Sequence, residues 1–362
     1  MRALFYYTAH GWSGAARAFA VAARGLAARG EPVTIACCAD TAAEHVFARE
    51  GLEVVALPPG GSAAGDAWRL RRVLRERFVE VVFLHTPREQ LVASSAMRLA
   101  ERGAVIRRVP AGRIANPRES GPIAERMANS RLLFTTEADR ARSPGAASEF
   151  VAPLGVEVTR VDGIRAEARA GLGIEPHIQL VVCVTSGFAR SRATTALRTV
   201  ALLAGRHPDL RLALVGPAAE EEDVHMHAAA LGVSSLVHFL GERDDLPAVC
   251  AAADLGWVAA DGDDAGFACL DFMAASVPIV SERTPLVAHF VPDGIAGVLL
   301  PPADPSDTAA AVASFLAHRD QREAMGRAGR TRAQRDFGET AMIDGFAAAA
   351  DAAGDRTSWA VR

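Results

Sequence analysis

Apolar residues along this chain gather in short continuous runs, separated by longer stretches in which they return every third or fourth position. The runs at 3–7, 33–37, 54–57, 80–84, 105–109 and 132–136 read as strands buried on both faces, with 132–136 the last strand of a first set. A second set follows at 179–184, 210–215, 237–240, 255–259 and 279–280. Helical periodicity fills the gaps between strands, which predicts an α/β chain built on parallel sheets. The terminal segments 306–317, 321–336 and 339–353 read as helices with no strand between them.

At 362 residues the chain has room for two core-bearing domains. The polar stretch after Val151-Ala152-Pro153-Leu154-Gly155-Val156 reads as the linker, near 155–175. The expected division is 1–160, 161–340 and a closing segment 341–362.

Half of the residues are hydrophobic, yet no apolar run approaches the length that spans a bilayer. Met1-Arg2 leads straight into the first strand, so the expected location is cytoplasmic. The five cysteines (37, 38, 183, 250 and 269) lie scattered in apolar segments without metal-binding spacing and read as reduced packing residues. All 39 basic side chains are arginine. The absence of lysine excludes Schiff-base chemistry and a Walker P-loop, and leaves phosphate contacts to guanidinium groups. Residues 1–150 hold 21 Arg against 15 acids, while the remainder holds 18 against 28. That surplus suits an anionic acceptor or a membrane surface, or is surface composition alone.

Candidate chemistry collects at the ends of strands. Strand 255–259 delivers Asp261-Gly262-Asp263-Asp264 to a sheet edge, and a helix over 267–275 would offer the amides of Gly266, Phe267 and Ala268 to an anion. Strand 80–84 delivers His85, and strand 179–184 the loop TSGFARSR with Arg190 and Arg192. The first strand is followed by a turn through Gly14 that lacks the dinucleotide fingerprint G-x-G-x-x-G. The helix from Trp68 to Phe78 is amphipathic and arginine-rich, suited to covering a sheet or to lying on anionic lipid. His225 and His227 face different ways on a helix, and Asp261-Gly262-Asp263 is only a three-residue D-x-D, so no metal site is expected.

The stretch 263–280, Asp263-Asp264-Ala265-Gly266-Phe267-Ala268-Cys269-Leu270-Asp271-Phe272-Met273-Ala274-Ala275-Ser276-Val277-Pro278-Ile279-Val280, resembles the C-terminal signature of the GT-B glycosyltransferases of family 4. That signature is similar to E-G-F-G-L-P-x-L-E-A-M-A-x-G-x-P-V-V, and here both glutamates are aspartates, still eight apart. The resemblance implies two facing Rossmann-like domains and a retaining, metal-free transfer from a UDP- or GDP-sugar to an unidentified acceptor. It implies no other cofactor and no nucleic-acid partner. By the same resemblance Asp263 and His85 would meet the donor sugar, Asp271 its ribose, and Gly14, Arg190 and Arg192 its phosphates. The lost glutamates, the lost glycine beside Gly14 and the lost lysine near Arg190 and Arg192 leave open a GT-B protein that binds nucleotide sugar without transferring it, and a two-lobed small-molecule binding protein is an alternative of a different class.

Overall fold

A computed structural model describes residues 1–101, 103–115, 129–145, 149–186, 190–301 and 304–354. The chain forms two compact units, Met1–Leu154 with Glu339–Arg362, and Gly155–Gly338.

The first unit is built on β1 (Ala3–Tyr7), β2 (Val33–Cys38), β3 (Val54–Leu57), β4 (Val81–Leu84), β5 (Ala104–Val109), β6 (Asn129–Phe134) and β7 (Phe150–Val151). Among the described residues they make one seven-stranded sheet in the order β3-β2-β1-β4-β5-β6-β7, parallel throughout. The sheet therefore extends one strand past the run at 132–136. Two residues are too few to show a period, so β7 left no signal. Both faces of β1 and β4 are covered, which is why these strands are apolar without alternation.

The helix Glu339–Gly354 packs onto this first sheet. Phe346 lies with its ring 5.9 Å from that of Phe5 and 5.2 Å from that of Phe83. A Cβ on Gly345 would come within 2.5 Å of the Val151 carbonyl oxygen, so only glycine permits that approach.

The second unit holds β8 (Gln179–Thr185), β9 (Leu210–Val215), β10 (Val237–Gly241), β11 (Leu255–Ala259), β12 (Ile279–Glu282) and β13 (Gly297–Leu300). Among the described residues these form a six-stranded parallel sheet in the order β10-β9-β8-β11-β12-β13. Asp254 ties the start of β11 to β8. Its carboxylate accepts the Leu180 N–H at 2.8 Å and faces Arg165 at 2.7 Å and Arg169 at 3.2 Å.

Strand order reverses between β1 and β4 in the first sheet, and between β8 and β11 in the second. The crevice outside the carboxyl ends of such strands is where open α/β sheets receive ligands. None of the described helices is long and apolar enough to cross a membrane.

Candidate functional site

In the second unit, the helix after β11 starts five residues ahead of the sequence expectation, at Gly262, and runs to Ala274. Its first intrahelical bond is donated by Ala265 to the Asp261 carbonyl. Gly266, Phe267 and Ala268 thus fall in the second turn and are buried, so their amides are not at the helix end. The physical reason lies at Gly262, whose φ of +59° turns the chain within one residue. Asp263 and Asp264 then open the helix, where acidic groups complement its dipole. A Gly-Asp cluster that reads as a loop is in fact a helix start.

Asp263 and Asp271 both lie on this helix, 5% and 2% exposed. Eight residues of helix separate them by about 12 Å along the axis.

Arg192 spans the switch point. Its Nη1 donates to the carbonyls of Ala259 at 3.2 Å and Ala260 at 2.9 Å, and its Nη2 reaches both Asp261 oxygens at 2.7 and 2.8 Å. The Asp261 N–H in turn donates to Ser186 Oγ at 3.1 Å. The ends of β8 and β11 and the helix Arg190–Leu203 are thereby laced together. That helix begins inside what the sequence reads as a loop, so Arg192 stands in its first turn. Arg190 is its first residue, and its side chain lies outside the described residues.

Asp261 and Asp263 do not form a D-x-D clamp, because Asp261 is paired to Arg192 while Asp263 is buried on the helix. Among the described residues no three His, Cys, Asp or Glu side chains gather as a metal centre.

In the first unit, His85 follows β4 and its ring stacks on Tyr7, with centroids 5.1 Å apart and planes 17° from parallel. Tyr7 hydroxyl lies 3.0 Å from Ser13 Oγ and donates to the Gly11 carbonyl at 2.9 Å, which fixes the turn that Gly14 leaves to open the helix Gly14–Ala28. His85 and Gly14 are thus brought to one corner.

Glu89 organises that corner. It is 1% exposed, and its carboxylate accepts N–H groups from Thr8 (2.7 Å), Thr86 (3.0 Å) and His85 (3.1 Å) and the Thr8 hydroxyl (2.8 Å). His85 Nδ1 lies 2.9 Å from Glu89 Oε2 but off the direction of a good hydrogen bond, so the contact is mainly electrostatic. Burial pushes the Glu89 carboxyl up, yet the electrostatic contact with His85, the His85 backbone N–H and the Thr8 hydroxyl outweigh it and hold the group below its usual 4.5. Sequence reasoning passed over Glu89, although Thr86-Pro87-Arg88-Glu89 after an apolar strand is a capping box with proline at the first helical position.

Residues 165–332 match the glycosyl transferases group 1 family. The chain carries a glycosyl transferases group 1 domain. That domain falls within the second unit and includes Arg192, Asp263 and Asp271. Among relatives of known description, the chain is 32% identical to a D-inositol 3-phosphate glycosyltransferase of Corynebacterium jeikeium over 189 residues, covering 49% of this chain and 45% of that one. It is 29% identical to a GDP-mannose-dependent alpha-(1-6)-phosphatidylinositol monomannoside mannosyltransferase of Mycolicibacterium smegmatis over 320 residues, covering 78% and 80%. The chain spans about half the length of the curated relatives it matches first. The Anabaena protein HepE, solved with UDP and glucose, superposes with a TM-score of 0.77 at 18% identity over 96% of this chain and 98% of that one. The group 1 domain is therefore half of a GT-B fold, whose two Rossmann-like units are the two described above.

Proposed function

We propose that this chain is a retaining glycosyltransferase that moves a sugar from a UDP- or GDP-sugar to an acceptor, with the donor held by the second unit. The observation that carries the reading is the second switch point, where the amino end of the helix Gly262–Ala274 and the guanidinium of Arg192 meet at the carboxyl ends of β8 and β11. A helix amino end and an arginine fork are both suited to a diphosphate. HepE is solved with UDP-glucose, and the mycolicibacterial relative is named for GDP-mannose, which supports a nucleotide-sugar donor.

In such a transfer the sugar gains oxocarbenium character while negative charge grows on the departing diphosphate. Arg192, Arg190 and the helix amino end would stabilise that charge in place, without reorganisation during the reaction. Asp263 and His85 would orient the sugar, and Asp271 the ribose. Nucleotide sugar and chain would need no metal ion and no further cofactor.

The helix Ala63–Glu76 supplies the surface best suited to an anionic bilayer from the cytoplasmic side. Trp68 and the adjoining Phe78 are 63% and 52% exposed, and Arg71 lies over the Trp68 ring at 4.8 Å. Arg72 and Arg77 are paired with Glu76 and Glu53, which lowers the net charge of that face.

The test is calorimetry with UDP-, GDP- and ADP-sugars, on the wild type and on Asp271→Ala. Binding to the wild type, lost in the variant, is expected. Binding with no release of nucleoside diphosphate against any acceptor pool would favour a non-transferring GT-B protein, and no binding at all would overturn the donor site.

A further inference from the structure

The first unit has a pocket that none of the assignments above uses. It opens at the carboxyl edge of β1, β2 and β3, and Tyr6, Thr8, Gly60, Asp66, Arg69 and Arg88 line it. Asp66 stands between two guanidinium groups, accepting from Arg69 Nη2 at 3.0 Å and from Arg88 Nη2 at 2.9 Å. The same nitrogens reach the carbonyls of Gly60 at 3.4 Å and Gly61 at 3.1 Å. A Cβ on Gly61 would fall 2.5 Å from Arg69 Nη2, so bare backbone makes room for the pair. One carboxylate against two guanidiniums leaves a positive charge, and a single nitrogen of each arginine is engaged in these contacts.

The second, independent observation is Tyr6. It is 3% exposed and lines the pocket, and its hydroxyl has no hydrogen-bond partner among the described residues. Burial, then the charges of Glu89 and Asp66, raise its pKa and keep it protonated, a donor at neutral pH.

We infer that this pocket binds the phosphate of a phosphorylated small molecule, held by Arg69 and Arg88 with Tyr6 donating a third hydrogen bond. The three donors approach from different elements, the helix Ala63–Glu76, the helix Pro87–Ala100 and β1, which suits a tetrahedral group better than a planar carboxylate. Thr8 lines the same pocket and donates its hydroxyl to Glu89, the partner of His85. The pocket thus shares a wall with the His85 corner. Resting on the function proposed above, the bound molecule is the acceptor, with its phosphate anchored here and a hydroxyl turned toward His85.

Calorimetry at constant ionic strength, with UDP present in excess to occupy the donor site, tests this with inorganic phosphate, glycerol 3-phosphate and glycerol. Phosphatidic acid vesicles in place of glycerol 3-phosphate distinguish a lipid-borne phosphate from a free one. Glycerol 3-phosphate should bind and glycerol should not. Arg69→Gln and Arg88→Gln should each weaken binding about tenfold, and Tyr6→Phe by about threefold to tenfold. Asp66→Asn should tighten it, since both forks are released to the ligand. Equal phosphate affinity in the wild type and all four variants, or glycerol binding as well as its phosphate, would overturn the inference. Thermal unfolding of the same samples, followed by circular dichroism, reports on folding of the first unit. Loss of UDP binding in the wild type with variant-sensitive phosphate binding intact would break the donor reading alone.

Discussion

Asp261 presents both of its carboxylate oxygens to a single nitrogen of Arg192, at 2.7 and 2.8 Å. A diphosphate arriving at this edge would compete for the same fork. Asp261→Asn is therefore expected to strengthen UDP or GDP binding, whereas Arg192→Ala should weaken it about tenfold. Calorimetry on the two variants decides the matter. Weaker binding in Asp261→Asn would make Arg192 a strut for the turn rather than a phosphate ligand.

Glu89 should govern the acid stability of the first unit. Its folded pKa lies below the usual 4.5, so its charge stabilises the fold above that value and the contribution is lost as pH falls through the folded pKa. Glu89→Gln should flatten the acid limb of a stability-against-pH curve followed by urea unfolding. Glu89→Ala, which strands the donors now bonded to it, should cost about 3 kcal/mol at neutral pH.

Ser276 occupies a left-handed conformation, φ +59°, just beyond the helix Gly262–Ala274. Ser276→Gly should stabilise the second unit by roughly 0.5–1 kcal/mol. Across from it, Gly326 approaches so closely that a Cβ would sit 1.8 Å from the Ser276 carbonyl oxygen. Gly326→Ala should push the helix Arg319–Asp336 off this contact and lower the thermal midpoint by several degrees, as a cost of about 2 kcal/mol would.

Phe346 is fully buried between Phe5 and Phe83. Phe346→Ala should cost about 3–5 kcal/mol. Calorimetric unfolding should show the loss in one transition, that of the first unit, with the transition of the second unmoved.

The strands were legible because parallel sheets covered on both faces turn burial into unbroken apolar runs, as in β1, β8 and β11. Helix starts were less so. Gly262 and its acidic neighbours carry the composition of a turn, yet one left-handed glycine suffices to start a helix there, which moved Gly266, Phe267 and Ala268 from an exposed end into a buried turn. His85 and Arg192 could be placed at strand ends from the sequence. Their partners Glu89 and Asp261 could not, because hydrogen-bond geometry leaves no periodic trace. The pocket around Tyr6 was hidden for the same reason, since β1 gives no sign that one of its aromatic hydroxyls lacks an acceptor.

The helix Glu339–Gly354 belongs to the first unit although 184 residues, Gly155–Gly338, come between. On a translating ribosome the first unit must therefore wait, with Phe5 and Phe83 uncovered, until Phe346 has left the exit tunnel. A nascent chain stalled before that point would display an aromatic patch for chaperones, although β1 to β7 had all been made.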